Sequence, residues 1–238
     1  MASNSPTSER QRGPRTEKNQ DHIALLKDSN APVPWSEEFE KMISGMSFDP
    51  RNSAEMLEHQ LCIKRQLAKF NNPVVPDDEK DQKITLASLK AEKLAILKNM
   101  LGKIGDDFHM GGISPLFVVF GCNVRIGNDV SANRGLSIHD HGIVTIGHRV
   151  QIGPNVQIIT EGHGVDVRSR REGLLYAEPI TIGDDCWIGA GVIVLGGVNI
   201  GRGCTIGAGA VVSKDIPELS VAVGVPAKVI RRVEDPDK

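Results

Sequence analysis

The chain has 238 residues, of which 39% are hydrophobic, 24% charged and only 4% aromatic, and its formal net charge is −2. Such a charge gives no electrostatic support for nucleic-acid binding, and no run of 18 apolar residues predicts a membrane span. The first residues lack the apolar core of a signal peptide. The four cysteines show no metal or redox spacing, so we expect a cytoplasmic protein with reduced thiols.

Residues 1–34 are polar and contain four prolines, at positions 6, 14, 32 and 34. This composition favours a flexible N-terminal arm. Within it, the stretch DHIALLKD has enough apolar residues for one turn of helix against a neighbour.

Residues 35–105 are predicted to form a helical unit. In SEEFEKMISGM, Ser36 is suited to cap a helix whose apolar face carries Phe39, Met42, Ile43 and Met46. Pro50 then forces a break, because it moves Asp49 out of helical geometry. A second helix has apolar residues at near-helical spacing: Met56, Leu57, Leu61, Ile63, Leu67 and Phe70. A third helix, KITLASLKAEKLAILKNMLG, is expected to end at Gly102.

Residues 106–238 follow a different pattern, which repeats every six residues after about position 120. Each hexad begins with an aliphatic or small residue, and seven of the twelve hexads have glycine in fourth place. The twelve first residues are Val124, Val130, Leu136, Val144, Val150, Val156, Ile180, Cys186, Val192, Val198, Cys204 and Ala210.

This pattern predicts a parallel β-helix. One inward aliphatic residue fills the interior, and glycine, asparagine or aspartate permits each sharp corner. Three short strands form a triangular coil of 18 residues, and the coils stack. Two insertions, Gly142–Ile143 and the loop 162–179, each follow three hexads, so both should lie at the same corner. Cys186 and Cys204 are one coil apart and are predicted to be core residues rather than a disulfide.

These motifs resemble the hexapeptide-repeat acetyltransferases, in particular the maltose, galactoside and nodulation-factor O-acetyltransferases. The resemblance covers about residues 36–234. It is carried by MISGMSFDPRNSAEMLEHQLCIKRQLAKFN, by PITIGDDCWIGAGVIVLGGVNIG and by GAGAVVSKDIPELSVAVGVPAKVIRRV. It implies a mainly β fold, a left-handed parallel β-helix after the helical unit, and a homotrimer with active sites in the clefts between subunits.

The inserted loop begins with Gly-His-Gly. A loop at one corner of a β-helix can close a cleft that the flat coil surface cannot form. Acetyl transfer to a hydroxyl needs a general base, and histidine suits that role near neutral pH. The resemblance implies that His163 is this base. Gly164 stands where the family usually has proline.

Other residues match the acceptor side of the family's site. The resemblance implies acceptor contacts at Asp49, Asn133, Asp140 and His141, with Trp187 as a nearby aromatic residue. An alternative uses the same fold: His139 and His141, at i and i+2 of a strand, share a face and could bind zinc, as in the γ-type carbonic anhydrases. Val119, Ser131 and His141 differ from the galactoside enzymes, so the acceptor stays open.

On the donor side, the resemblance implies an extended groove for acetyl-CoA. Small residues should line it at Ala190 and Ala208, one coil apart. Ser213 and Lys214 match a pair near the end of the pantetheine arm. Lys228 and Arg231 match cations near the phosphates, which suit such charges.

We therefore predict an acetyl-CoA-dependent O-acetyltransferase that acts on a sugar or sugar-like hydroxyl by direct transfer, without a metal, a membrane or a nucleic-acid partner. Two alternatives remain from other classes: a zinc-dependent hydratase and a non-catalytic trimeric scaffold.

Overall fold

The computed structural model describes residues 13–73, 84–110, 115–236 and 238. The helices are α1 (Gln20–Lys27), α2 (Glu37–Ile43), α3 (Ala54–Phe70), α4 (Leu86–Met100) and α5 (Val167–Glu172), with a 3-10 turn at Pro50–Asn52. No helix among the described residues is both long enough and apolar enough to cross a membrane.

The segment 13–34 differs from the expected flexible arm. Helix α1 is capped by Asn19, and its Ile23 and Leu26 are buried against the helical unit. Lys18, just before α1, forms ion pairs with Glu37 and Glu40 of α2 at 2.6 and 2.8 Å, and these hold the start of α1 against α2. The apolar content of DHIALLKD is therefore sufficient for docking. Residues 1–12, also predicted to be flexible, lie outside the described residues.

Helices α2, α3 and α4 form the predicted helical unit. Ser36 caps α2 by accepting a hydrogen bond from the Phe39 amide at 3.2 Å. Helix α4 ends at Met100, two residues before Gly102. On α3, four of the six apolar residues are buried, but Leu57 and Leu61 are 51% and 48% exposed.

Nineteen short strands follow among the described residues. In chain order they are β1 (Lys103–Ile104), β2 (His109–Met110), β3 (Leu116–Val118), β4 (Val124–Ile126), β5 (Ser131–Ala132), β6 (Leu136–His139), β7 (Val144–Ile146), β8 (Gln151–Ile152), β9 (Gln157–Ile159), β10 (Glu161–Gly162), β11 (Tyr176–Ala177), β12 (Ile180–Ile182), β13 (Trp187–Ile188), β14 (Ile193–Leu195), β15 (Asn199–Ile200), β16 (Thr205–Ile206), β17 (Val211–Val212), β18 (Ser220–Val223) and β19 (Lys228–Arg232).

Three sheets form the faces of a parallel solenoid. The first has the order β1-β4-β7-β12-β15, the second β19-β18-β16-β13-β8-β5-β2, and the third β17-β14-β9-β6-β3. From β1 to β17, apart from β10 and β11, successive strands enter the first, second and third sheet in turn, as the hexads predict. Within these three sheets, only the β18–β19 pair at the end of the second sheet is antiparallel among the described strands. The predicted solenoid is thus confirmed.

The interior follows the hexad pattern. All twelve first-position residues are buried, and so are their third-position partners, such as Ile126, Ile152 and Ile188. Cys186 and Cys204 are buried free thiols that donate hydrogen bonds to Gly201 O and Pro217 O, each at 3.1 Å. The prediction that they are core residues is confirmed.

Two positions of the hexad, the fourth and the sixth, have different roles at the corners of the coil. The sixth residue has the left-handed backbone conformation in nine of the twelve hexads, as at Asp185 (φ 58°) and Gly191 (φ 66°). The fourth-position glycine instead permits close stacking of coils: a Cβ at Gly183 would lie 2.7 Å from the backbone nitrogen of Arg202. Real Cβ atoms do not approach backbone this closely, so the glycine preserves the coil spacing.

Both insertions lie at the corner between the third and first sheets, as predicted. Gly142 follows β6, and its amide donates to Thr160 Oγ1 of the next coil at 2.8 Å. The longer insertion separates β9 from β12. The predicted site residues lie on three surfaces. These are this third–first corner, the second–third corner after β5, β8, β13 and β16, and the outer face of the second sheet.

Candidate active site

The inserted loop has its own local structure. Strands β10 and β11 pair antiparallel and close its base. Helix α5 lies between them and is capped by Asp166, whose side chain accepts from the Ser169 amide at 3.0 Å. Gly173 ends the helix in the left-handed conformation (φ 76°), the usual role of a C-terminal glycine. The interruption of the hexads is therefore an ordered excursion.

His163 follows β10 directly, with its imidazole exposed. Its Nδ1 lies 3.3 Å from the carbonyl oxygen of Leu174, on the other arm of the loop. A carbonyl can only accept a hydrogen bond, so Nδ1 carries the proton of the neutral ring. Nε2 is then unprotonated and has the lone pair that a general base needs.

A cluster of ionisable side chains lies beside β10. The Glu161 carboxylate is 2.9 Å from His139 Nδ1 and 3.3 Å from His141 Nδ1. Burial opposes ionisation of Glu161, yet the adjacent His141 and His139 hold its pKa below the ordinary value. The Phe117 ring lies 5.1 Å from the His139 ring and extends this cluster. Glu161 is separated from His163 by Gly162 alone, so this cluster lies next to the start of the inserted loop.

Asp140, which lies between His139 and His141 in the sequence, is not part of this cluster. Its side chain is fully buried, and Oδ1 accepts from the amides of Val119 and Phe120 at 2.7 and 3.0 Å. Burial raises its pKa to about 6. The expected acceptor contact is therefore not supported, because no acceptor can reach a carboxyl inside the chain. Asp140 instead orders the backbone beneath the helical unit.

Asp49 lies beside the loop, but its carboxylate is already engaged. Arg51 forms a fork on both oxygens, with Nε and Nη2 each 2.8 Å away, and holds the pKa of the carboxyl below its ordinary value. The Arg51 amide and Asn52 Nδ2 add bonds at 3.0 and 3.3 Å. A carboxylate offers about four lone-pair positions, and these four bonds use them. An acceptor could bind Asp49 only by displacing one.

The second–third corner presents a strip of small residues. Ala190 and Ala208 are both exposed and stack on successive coils, with Gly209 N donating to Ala190 O at 2.8 Å. Asn133 lies at the same corner toward the other end of the solenoid, and its Oδ1 accepts from the Arg134 amide. A flat strip of this kind leaves room for an extended ligand.

Trp187, Lys228 and Arg231 lie on the second sheet. The strand register aligns Trp187 with Thr205, Thr205 with Val221, and Val221 with Arg231. Trp187 is 57% exposed on the outer side of this row. Ser213 and Lys214 follow β17 and lie instead at the third–first corner, on the last coil.

The predicted residues therefore form two groups in one chain. His163, His141 and Asp49 gather around the third–first corner, whereas Asn133, Ala190 and Ala208 line the second–third corner. The third sheet separates them by one coil side, roughly 15 Å at the usual rise of a strand.

Comparisons with known proteins identify the family to which this fold belongs. Residues 41–105 match the family model for the maltose acetyltransferase hexapeptide capping motif, and residues 179–214 match that for the bacterial transferase hexapeptide (six repeats). The galactoside O-acetyltransferase of Escherichia coli is 42% identical over 144 residues, covering 60% of this chain and 70% of that protein.

Two solved structures extend the match. A maltose O-acetyltransferase from Clostridium difficile has a TM-score of 0.74 at 34% identity, covering 84% of this chain and 99% of that one. A hexapeptide-repeat acetyltransferase from Vibrio cholerae, complexed with acetyl-CoA, has a TM-score of 0.71 at 31% identity, covering 84% and 100%. The chain belongs to the hexapeptide-repeat acetyltransferases.

Family membership favours acetyl transfer over the zinc-hydratase alternative. In this acetyltransferase, the Nδ1 atoms of His139 and His141 both face Glu161. No group of three or more histidine, cysteine, aspartate or glutamate side chains in the described ranges is arranged to hold a metal ion.

Sequence reasoning missed two residues of the candidate site. Glu161 was only the end of a hexad, although its position two residues before His163 in the chain was a usable signal. Arg51 had no signal, because its contact with the loop joins positions 121 residues apart.

Proposed function

We propose that this protein transfers the acetyl group of acetyl-CoA to a hydroxyl of a sugar or sugar-like acceptor, with His163 as general base. The acetyl-CoA-dependent O-acetyltransferase activity is supported by membership of the family and by the acetyl-CoA complex of the Vibrio relative. The acceptor class is supported by the galactoside and maltose enzymes among the relatives.

The observation that carries the proposal is the contact between His163 Nδ1 and the Leu174 carbonyl oxygen. The Leu174 carbonyl lies 3.3 Å from Nδ1, and this leaves Nε2 as the basic nitrogen of an exposed ring. A histidine held in one tautomer is already prepared to accept a proton.

The reaction then balances without a metal. Nε2 accepts the acceptor's hydroxyl proton as that oxygen attacks the thioester carbonyl carbon. The C–S bond breaks as the tetrahedral intermediate collapses, and the proton passes from the imidazolium to the departing thiolate. The products are the acetyl ester and coenzyme A, with no acyl-enzyme. Holding both substrates in one cleft supplies much of the remaining acceleration.

The donor is assigned to the second–third corner. Ala190 and Ala208 would flank the pantetheine arm, and Lys228 and Arg231 would meet its phosphates. Ser213 and Lys214 lie at the other corner, so they would contact acetyl-CoA only where it meets the third sheet.

We assign the functional unit as a homotrimer. In one chain the donor strip and His163 are about a coil side apart, and His163 points outward from the corner. A symmetric assembly would bring His163 of one subunit to the strip and Trp187 of the next. A fully active monomer in light scattering would contradict this assignment.

His163→Ala tests the proposed chemistry. We expect kcat to fall by about 10² to 10⁴, the usual effect of a positioned general base, with little change in acetyl-CoA affinity. Turnover would be measured as coenzyme A release against a panel of sugars, glycosides, amines and small alcohols. His109→Ala, at an exposed histidine of the second sheet, is the matched control. Near wild-type turnover in His163→Ala, or an acetylated enzyme detected by mass, would refute the mechanism.

A further inference from the structure

The helical unit and the inserted loop share a short antiparallel contact. Phe48 N donates to Leu175 O at 3.0 Å, and Leu175 N donates to Phe48 O at 3.1 Å. Leu175 is adjacent to Leu174, whose carbonyl faces His163 Nδ1. The arm of the loop that orients the imidazole is thus attached to the helical unit.

Arg51 adds a second attachment beside this one. Its Nη2 donates to Glu172 O at 3.0 Å, while the same guanidinium grips both oxygens of Asp49. Asp49 is itself anchored, because its amide donates to Glu38 Oε2 at 2.8 Å. Arg51 therefore joins two backbones, that of the 3-10 turn and that of the end of α5.

Glu172 is where the chain turns toward the base. The next residue, Gly173, has φ 76°, and its amide closes the last turn of α5. A Cβ at Gly173 would lie 2.5 Å from Arg51 Nη2, so the guanidinium packs directly on this turn. One residue later comes the Leu174 carbonyl. A shift at Glu172 would therefore move the oxygen that sets the orientation of His163.

We propose that Arg51 is a positioning residue that holds the base-orienting arm of the loop, with Asp49 as its anchor; the inference rests on the proposed role of His163. An exposed ion pair alone contributes little to stability. Placement of a catalytic group is more sensitive, since a displacement of about 1 Å can reduce the rate about 10²-fold. The three-way contact at Arg51 controls such a placement.

This role differs from a direct acceptor contact at Asp49. A contact residue mainly affects the acceptor's KM, whereas a positioning residue affects kcat through His163. We expect Arg51→Ala to lower kcat about 10-fold or more and to leave the KM for acetyl-CoA unchanged. Arg51→Lys keeps the charge but not the planar fork, so it should restore only part of the rate. Arg65→Ala removes an exposed arginine of α3 and serves as the charge control.

A double-variant cycle ties the effect to the base. In the His163→Ala background, Arg51→Ala should reduce kcat no further, because the group it positions is gone. A merely structural defect would reduce both backgrounds equally, and that result would overturn the proposal. A rise in the acceptor's KM with unchanged kcat would also overturn it.

Hydrogen exchange of the intact protein gives a readout that does not depend on catalysis. Arg51→Ala should speed amide exchange in peptides from 162–179 and leave β12–β17 unchanged. If His163→Ala is fully active, the proposed base is wrong, and the exchange result still decides whether Arg51 holds the loop. Unchanged exchange in Arg51→Ala means that it does not.

Discussion

The solenoid and the inserted loop follow opposite rules of construction. In the solenoid, the fourth-position glycines are required by the stacked coil: a Cβ at Gly183 would lie only 2.7 Å from the backbone nitrogen of Arg202. In the loop, a Cβ at Gly164 would meet only the side chain of Ser169. Close repetition thus gives rigidity to the scaffold, and the break in repetition gives room for chemistry.

The largest expected effect comes from breaking the close stacking. Gly183→Ala should destabilise the protein by about 3 kcal/mol, since the coils must separate to admit a methyl group against backbone. Gly183 lies between the first and second sheets, away from both groups of site residues. Thermal unfolding would measure the loss.

Gly164→Ala is the matched control in the loop. Only the Ser169 hydroxyl must move, so the unfolding temperature should change little. Equal losses in the two variants would contradict the difference between the regions.

Asp140, buried where the helical unit meets the solenoid, predicts a pH-dependent effect. Its native pKa, raised to about 6 from 3.8, means that the folded state holds the proton more tightly than the unfolded chain. Its ionisation therefore removes stability as pH rises from about 4 to about 6, by about 1 to 3 kcal/mol. Asp140→Asn has no proton to lose. The difference in unfolding temperature between this variant and the wild type should therefore be more favourable to the variant at about pH 7.5 than at about pH 4.

Asp49→Asn gives the opposite sign and serves as the comparison. Arg51 lowers the pKa of Asp49. The ionised carboxylate therefore stabilises the fold at pH values above its unfolded-state pKa, and this contribution is lost as pH falls. Asp49→Asn should therefore show no gain at the higher pH. A gain in both variants would mean that general charge repulsion, and not burial of Asp140, governs the trend.

Sequence predicted the solenoid well because its rule is local: a period of six, read from residues such as Val124 and Gly127, fixes both face and corner. The helices were also predictable from spacing and caps. The docking of α1 was predicted only in part: DHIALLKD indicated a helical turn against a neighbour, but the contacts that bury Ile23 and Leu26 come from distant residues.

The site was predicted unevenly for the same reason. His163 was placed on the loop by its position after the sixth hexad, and the structure adds its orientation by Leu174. The resemblance suggested acceptor contacts at Asp140 and Asp49. Burial keeps an acceptor away from Asp140, and Arg51 competes with an acceptor for the carboxylate of Asp49. Burial and ion pairing depend on three-dimensional neighbours such as Phe120 and Arg51, which no local pattern encodes.

The smallest expected effect concerns the cations of β19. Alternation along a strand would put Lys228 and Arg231, three residues apart, on opposite faces. The register is irregular here: Lys228 pairs with Val223 and Arg231 with Val221. Since Val221 and Val223 share a face, the irregularity returns both cations to one side, as a bulge does.

That side is the outer face of the second sheet, on which Trp187 is also exposed. Both cations can therefore act on one polyanionic group, and Lys228→Ala and Arg231→Ala should each raise the KM for acetyl-CoA about 3- to 10-fold, below the full value of a charged hydrogen bond because both are exposed. The wild-type KM should also rise with salt more steeply than that of either variant. Lys64→Ala, on exposed α3, controls for net charge. Unchanged acetyl-CoA affinity at low salt in both variants would place the phosphates elsewhere, and would leave the small-residue strip without its charged end.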